Sequence, residues 1–110
     1  MSCCEAGMYQ YETAQLQITL GREGALSDTQ DVVVSIVQGA VRLDLHKADL
    51  DIDEEKVTIT CNLTQEQTGL FEGSRSANVQ VNILYMGGER DASSIGSISL
   101  FSNLYGQVME

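Results

Sequence analysis

The sequence predicts an all-β fold, an antiparallel β-sandwich with one short connecting helix near residues 64–71. Apolar and polar residues alternate in six short segments, which is the pattern of strands that bury one face. Most of these segments are too close together for the crossover helices that a parallel sheet requires. A chain of 110 residues has room for one hydrophobic core. Two packed sheets would bury such strands, although the pattern does not separate a sandwich from a barrel.

The six segments follow one another with short turns between them. The segment 31–38 is almost continuously β-branched, which predicts a central strand, and Gln38 and Gly39 predict a tight turn into the next strand. The predicted strands are residues 15–20, 31–38, 41–45, 56–63, 78–86 and 94–101. Their inward residues should be Leu16, Ile18, Leu20, Val41, Leu43, Leu45, Val57, Ile59, Cys61, Leu63, Val79, Val81, Ile83, Tyr85, Ile98 and Leu100.

One segment departs from the alternation. Thr64 stands three residues before Gln67, which is the spacing of a capping box and predicts the start of a short helix. We expect this helix to occupy residues 64–71 and to place Leu70 and Phe71 beneath the sheets. Gly73 should then release the chain into the following strand.

The two ends of the chain are predicted to behave differently from the middle. Residues 1–7 show no pattern that predicts packing against another segment, and we expect them to be disordered. One sandwich domain should then cover residues 8–110. Near the other end, Phe101, Leu104, Tyr105 and Val108 recur at helical spacing. This segment would cap the open end of its own sandwich or dock on a neighbouring subunit, and its four residues are the candidate interface.

The net charge of the chain limits the classes of partner that it is expected to bind. Sixteen acidic residues stand against six basic ones, which gives a net charge of -10. Such a surface repels phosphate backbones and anionic lipids, so binding to nucleic acid or to a membrane is not expected. No apolar run is long enough to span a bilayer, and residues 1–5 do not resemble a secretory signal. We therefore expect the protein to stay in the cytoplasm until it is assembled.

The sequence offers no catalytic or cofactor motif. His46 is the single histidine, and it alternates with Asp44 on a polar strand face without a recognisable nucleophile motif. We therefore expect no enzyme activity and no cofactor. Asp49, Asp51 and Asp53 are weak candidates for a calcium site, but the run lacks the glycine and the distant glutamate of a calcium loop. The stronger interpretation of residues 49–55 is a solvated strand end and turn.

Two further functions stay open. Tyr9, Tyr11 and Tyr105 are the aromatic residues that could receive a sugar ring, which would make the chain a binding module for cell-surface carbohydrate or a host protein. The negative charge could instead mimic DNA. Mimicry needs carboxylates spread like phosphates, and here only one cluster exists.

The stretch NLTQEQTGLF at residues 62–71 resembles a family of small tail or baseplate-region structural proteins of phages and prophages of Gram-positive bacteria. The resemblance extends from about Leu16 to Met109. The matching residues are Thr58, Thr60, Leu63, Thr64, Gln65, Glu66, Gln67, Thr68 and Phe71, followed by the valine-rich strand 79–84 and by residues 92–95. Gln67 replaces the usual second acid, the acidic loop 49–55 is longer, and Cys3 and Cys4 have no counterpart.

This resemblance implies an immunoglobulin-like sandwich that works by assembly. It implies a structural or adaptor role in a phage tail or baseplate, with other tail proteins and copies of the same chain as partners. The expected location is the tail of the virion, and the bacterial host cytoplasm before assembly.

Overall fold

The fold is a sandwich of two β-sheets. A computed structural model describes residues 5–109 of the chain, and side chains from Met8 onward. The strands are β1 (Glu5–Tyr9), β2 (Ala14–Thr19), β3 (Thr29–Gln38), β4 (Val41–Leu45), β5 (Leu50–Asp53), β6 (Thr58–Leu63), β7 (Ser76–Tyr85), β8 (Arg90–Ala92) and β9 (Gly96–Phe101). Helix α1 spans Gln65–Thr68, and a 3-10 turn covers Lys47–Asp49.

The strands divide unequally between the sheets. The large sheet has the order β1-β9-β7-β3-β4, with β8 also beside β7, and the small sheet has the order β2-β6-β5. Strands β8 and β9 lie along successive parts of β7 and together act as one interrupted strand. Ser93 bridges the interruption, because its Oγ accepts a hydrogen bond from the Val81 N–H at 2.9 Å. All pairings are antiparallel except that of β1 with β9, which is parallel.

The core lies between the sheets and confirms the predicted alternation. Ile18, Ile59, Val79 and Val81 are completely buried, and most other predicted inward residues are buried as well. Val41, Leu43 and Tyr85 are only half-buried and pack at the margin of the core. Each fully buried aliphatic side chain contributes about 1.5–3 kcal/mol relative to exposure, so the period-two pattern supplies most of the stability of this fold.

The N-terminal prediction is wrong where the structure can test it. Residues 5–7 were expected to be disordered, but they belong to β1 and pair with residues 97–99 of β9. A strand added at a sheet edge gains backbone hydrogen bonds without needing its own alternating pattern, so no period-two pattern marks β1 in the sequence. Residues 1–4 lie outside the described residues.

The predicted connecting helix is confirmed, but it is shorter than expected. The capping box is present: Thr64 Oγ1 accepts from the Gln67 N–H at 3.2 Å, and Gln67 Oε1 accepts from the Thr64 N–H at 2.9 Å. Phe71 is buried as expected, whereas Leu70 is 52% exposed and the prediction for it is wrong. Because α1 ends at Thr68, Leu70 and Phe71 lie in the turn beyond the helix. Their side chains point to opposite sides, one to solvent and one to the core.

The helical spacing predicted for the C-terminal segment is also wrong. Strand β9 ends at Phe101, and residues 102–109 form bends without a helix. The Asn103 side chain accepts a hydrogen bond from the Tyr105 N–H at 3.0 Å, which is a local turn contact that competes with helical hydrogen bonding. Among residues 5–109, no helix is long and apolar enough to cross a membrane.

Candidate interaction surfaces

The C-terminal segment is fastened across one end of its own sandwich. Asn103 Nδ2 donates to the Gln10 carbonyl oxygen at 3.0 Å. Farther along, Gln65 of α1 holds the Met109 backbone twice: Gln65 Oε1 accepts from its N–H at 2.7 Å, and Gln65 Nε2 donates to its carbonyl oxygen at 3.2 Å. The sequence left open whether this segment caps its own sandwich or docks on a neighbouring subunit. The backbone of the segment caps its own sandwich.

Three of the four candidate interface residues expose their side chains. Phe101 is 45% exposed, Tyr105 is 61% exposed, and Leu104 is fully exposed, while Val108 is half-buried. The Tyr9 ring lies against the Phe101 ring with 5.1 Å between centroids. We call Tyr9, Phe101, Leu104 and Tyr105 the terminal patch. Since polar atoms attach the segment to the domain, these side chains are left available to a partner.

Tyr11, the remaining candidate for sugar binding, has a structural position. It is half-buried and has a positive φ of 55°. Its ring covers Gly69, where an added Cβ would overlap the ring and the Gln65 carbonyl oxygen. Tyr11 therefore packs against the end of α1, and it does not extend the exposed aromatic surface of the terminal patch.

A shallow groove of about 370 Å³ crosses the outer face of the large sheet. Its two sides come from the β3–β4 hairpin and from the β7–β8 hairpin, and charged, polar and apolar residues line it. We call it the sheet groove. The residues that line it are Asp31, Val33, Ser35, Arg42, Asp44, His46, Asn82, Ile83, Leu84 and Arg90.

The polar residues of the sheet groove are already engaged with one another. His46 Nδ1 lies 3.0 Å from Asp31 Oδ2, and Ser35 Oγ donates to Asp44 Oδ1 at 2.6 Å. Arg42 Nε donates to the same carboxylate at 2.9 Å. A nucleophilic triad requires the histidine to accept from the serine hydroxyl, whereas here the two side chains are bound to different aspartates. His46 is thus a solvated ion-pair partner with Asp31, a residue that the sequence did not single out.

The pKa of His46 is raised above 6.5, first by its hydrogen bond to Asp31 and then by the nearby negative charges. The pKa of Asp31 is lowered from 3.8, chiefly by the same hydrogen bond. Because the pKa of His46 is raised in the folded state, its contribution to stability is fully present below about pH 6.5. The contribution is lost as the pH rises through the folded-state pKa. Since the chain has one histidine, an NMR titration reports this group alone.

We expect this titration to give a pKa above 6.5 and Asp31→Asn to bring it back towards that value. Glu66→Gln removes the same charge on α1 and serves as the control, with no expected change. An unshifted histidine in the unmodified protein, or equal effects of the two substitutions, would contradict the ion pair.

The acidic run lies on the small sheet and on the turn that precedes it. Asp49 belongs to the 3-10 turn, while Asp51 and Asp53 are exposed on β5. Asp51 accepts from Asn62 Nδ2 at 2.9 Å, and Asp53 accepts from the Lys56 N–H at 3.1 Å. In the described part of the chain, no three potential ligands gather into a metal site. The run is solvated as expected, but residues 50–53 form the additional strand β5 and not only a strand end and turn, with Leu50 and Ile52 packed against the core.

The strand order defines the class of fold. A small sheet of three strands against a large sheet with the hairpin β3–β4, then β7 and β9, is the arrangement of an immunoglobulin-like sandwich. The fold is similar to a chain in a crystal structure of chicken TCR, with a TM-score of 0.56 and 8% sequence identity. The match covers 90% of this chain and 54% of the other, so this chain spans about half the length of that solved chain.

The comparisons show the fold alone. No protein-family model matches the chain, and no curated protein matches it. Ninety solved chains match the fold, and a fold shared so widely carries no particular function. Function therefore has to be argued from the surfaces described above.

Proposed function

We propose that this protein is a non-enzymatic structural or adaptor component of a phage or prophage tail or baseplate, and that it acts by protein–protein assembly. The observation that supports assembly is the terminal patch, in which Leu104 and Tyr105 project from a backbone fastened to the domain. The setting in a tail rests on the resemblance of residues 62–71. The proposed partners are copies of this chain and other tail proteins.

The attachment of the segment favours assembly energetically. Binding through a loose tail loses affinity because the tail must be ordered at the moment of contact. Here the hydrogen bonds of Asn103 to Gln10 and of Gln65 to Met109 hold the backbone before any partner arrives. An apolar patch presented in this way is typical of a protein–protein contact. If the patch meets a different surface of the next copy, repeated contacts can close into a ring, and if it meets the same patch, the contact gives a two-fold dimer.

The terminal patch should determine the molar mass of the purified chain. We expect light scattering to find a discrete oligomer, and we expect Leu104→Ser combined with Tyr105→Ser to lower the mass. Both side chains are exposed, so the substitutions remove partner contacts without opening the core. Met86→Ser serves as the control, since Met86 is about as exposed as Tyr105 but lies on the β7–β8 turn. A monomeric unmodified protein, or a mass unaffected by the double substitution, would contradict self-assembly through this patch.

The location in a tail has its own test. Mass spectrometry of purified particles from a phage that carries this gene should find the chain in the tail fraction, at several copies per particle. Its absence from tails would remove the phage role, while the mass measurements above would still report on assembly.

A binding module for cell-surface carbohydrate or a host protein is the second candidate. The exposed rings of Tyr9 and Phe101, whose planes are tilted by 38° to each other, favour it, because aromatic rings offer an apolar surface to a sugar ring. The two candidates differ in what Tyr9→Ser changes. If Tyr9 belongs to a sugar platform, Tyr9→Ser should abolish glycan binding without changing the molar mass. If Tyr9 belongs to an assembly surface, the substitution should lower the molar mass.

A further inference from the structure

Strand β4 forms a free edge of the large sheet. Among residues 5–109, β4 pairs only with β3. The two strands are joined by a two-residue turn after Gln38, whose register partner is Val41, and Gly39 has a φ of 58°. Such a turn closes on a hydrogen-bonded pair, and bonded and non-bonded pairs then alternate. Arg42 and Asp44 therefore direct their backbone N–H and C=O groups outward, where another strand can pair with them.

The charges on β4 favour one particular pairing. Arg42 and Asp44 are both on the outer face, on either side of Leu43. If a second copy pairs antiparallel across a two-fold axis at Leu43, Arg42 of each copy lies opposite Asp44 of the other. All five residues of β4 then overlap. A two-fold axis at residue 42 or 44 instead places arginine opposite arginine or aspartate opposite aspartate, and like charges directly opposite one another are destabilising.

The apolar residues of β4 agree with this register. Val41 and Leu43 are half-buried and pack at the margin of the core. In the register centred on residue 43, the two Leu43 side chains meet in a non-hydrogen-bonded pair, with Cα atoms about 4.5 Å apart. This is the closest approach that antiparallel strands allow. Pairing would thus cover apolar surface that the single domain leaves half-exposed.

The β5 edge of the small sheet lacks these features. On β5, Asp51 and Asp53 flank Ile52, so the corresponding two-fold pairing would place each aspartate opposite an aspartate. In a chain with a net charge of -10, contacts between copies are generally repulsive. On β4, Arg42 and Asp44 already form an ion pair within each copy, at 2.9 Å, and in the pairing the ion pairs of the two copies lie side by side with opposite charges facing each other.

We propose that β4 binds β4 of a second copy of this chain across a two-fold axis at Leu43, so that two large sheets become one continuous sheet. The inference deepens the proposed assembly function, on which it rests, by naming the partner and the register. It does not use the terminal patch. The two contacts can therefore be tested separately.

The first test is a symmetric disulfide. Leu43→Cys, in a chain that also carries Cys3→Ser and Cys4→Ser, should form a covalent dimer under mild oxidation. Val41→Cys is the matched control, because it is also half-buried on β4. In the proposed register the two copies of residue 41 are about 14 Å apart along the strands, too far for a disulfide. Equal cross-linking of the two variants, or no cross-linking of Leu43→Cys, would overturn the proposal.

The second test exchanges charges. Arg42→Asp makes the outer face of β4 acidic and Asp44→Arg makes it basic, and each should weaken self-association about tenfold or more, because two attractive pairs become repulsive. A mixture of the two variants should associate again, since every acidic residue then lies opposite a basic one. Arg90→Asp carries the same charge change within the sheet groove and should have no such effect. Failure of the mixture to associate, or an equal loss with Arg90→Asp, would overturn the proposal.

Sedimentation of these variants also separates this inference from the proposed function. A Leu104→Ser and Tyr105→Ser double variant that still forms the Leu43→Cys disulfide dimer would support β4 pairing even if the terminal patch has no role. If the double variant is monomeric while the charge variants assemble normally, assembly through the terminal patch is supported and β4 pairing is wrong.

Discussion

Phe71→Ala should destabilise the protein by about 3–5 kcal/mol, the cost of deleting a large aromatic side chain from a packed core. Phe71 is 1% exposed and is the largest of the fully buried residues. It follows α1 directly, and its carbonyl oxygen accepts from Gln10 Nε2 at 2.7 Å. The cavity would therefore open beneath the end of the sandwich that carries the terminal patch. Urea unfolding followed by circular dichroism measures the loss.

Phe101→Ala is the matched control, since these are the two phenylalanines of the chain. Phe101 is half-exposed and contacts the Tyr9 ring. Its removal should cost no more than about 1.5 kcal/mol, the value of an aromatic pair. Equal losses for the two substitutions would mean that Phe71 is not part of the core.

Gln38→Met should cost about 2–3 kcal/mol, because it leaves two backbone groups without their partners in a partly buried environment. Gln38 is buried at the end of β3. Its Oε1 accepts from the Glu72 N–H at 2.7 Å, and its Nε2 donates to the Glu72 carbonyl oxygen at 2.9 Å. Methionine has a similar length but cannot replace either bond. Urea unfolding again provides the measurement.

Gln65→Met tests the physical reason for this expectation. Gln65 makes the same reciprocal pair of hydrogen bonds, but to Met109 at an exposed position. Water can replace its bonds, so its loss should stay below about 1 kcal/mol. A loss as large as that of Gln38→Met would show that burial does not set the difference. Gln65→Met should also loosen the segment beneath the terminal patch, and with it the proposed assembly.

The local features of the fold were predictable from the sequence. Strands that bury one face impose a period of two, so β2, β3, β4, β6, β7 and β9 could be located from the apolar residues alone. The capping box at Thr64 and the turn after Gln38 depend on contacts within three residues, which a sequence pattern contains directly. Strand β5 lies within the acidic run and was not predicted, because a segment of four residues is too short to show a clear period of two.

The candidate surfaces depended on contacts between distant residues. Asp31 meets His46 only because β3 and β4 lie side by side, and β1 reaches β9 across most of the chain. The helical spacing at the C-terminus was misleading, because Asn103 and Gln65 fix that backbone through hydrogen bonds that an apolar pattern does not encode. The sequence by itself determined which residues form strands and which face of each strand is apolar. Only the tertiary structure decided which edges are paired and which side chains face outward, because these outcomes depend on packing between segments far apart in the chain.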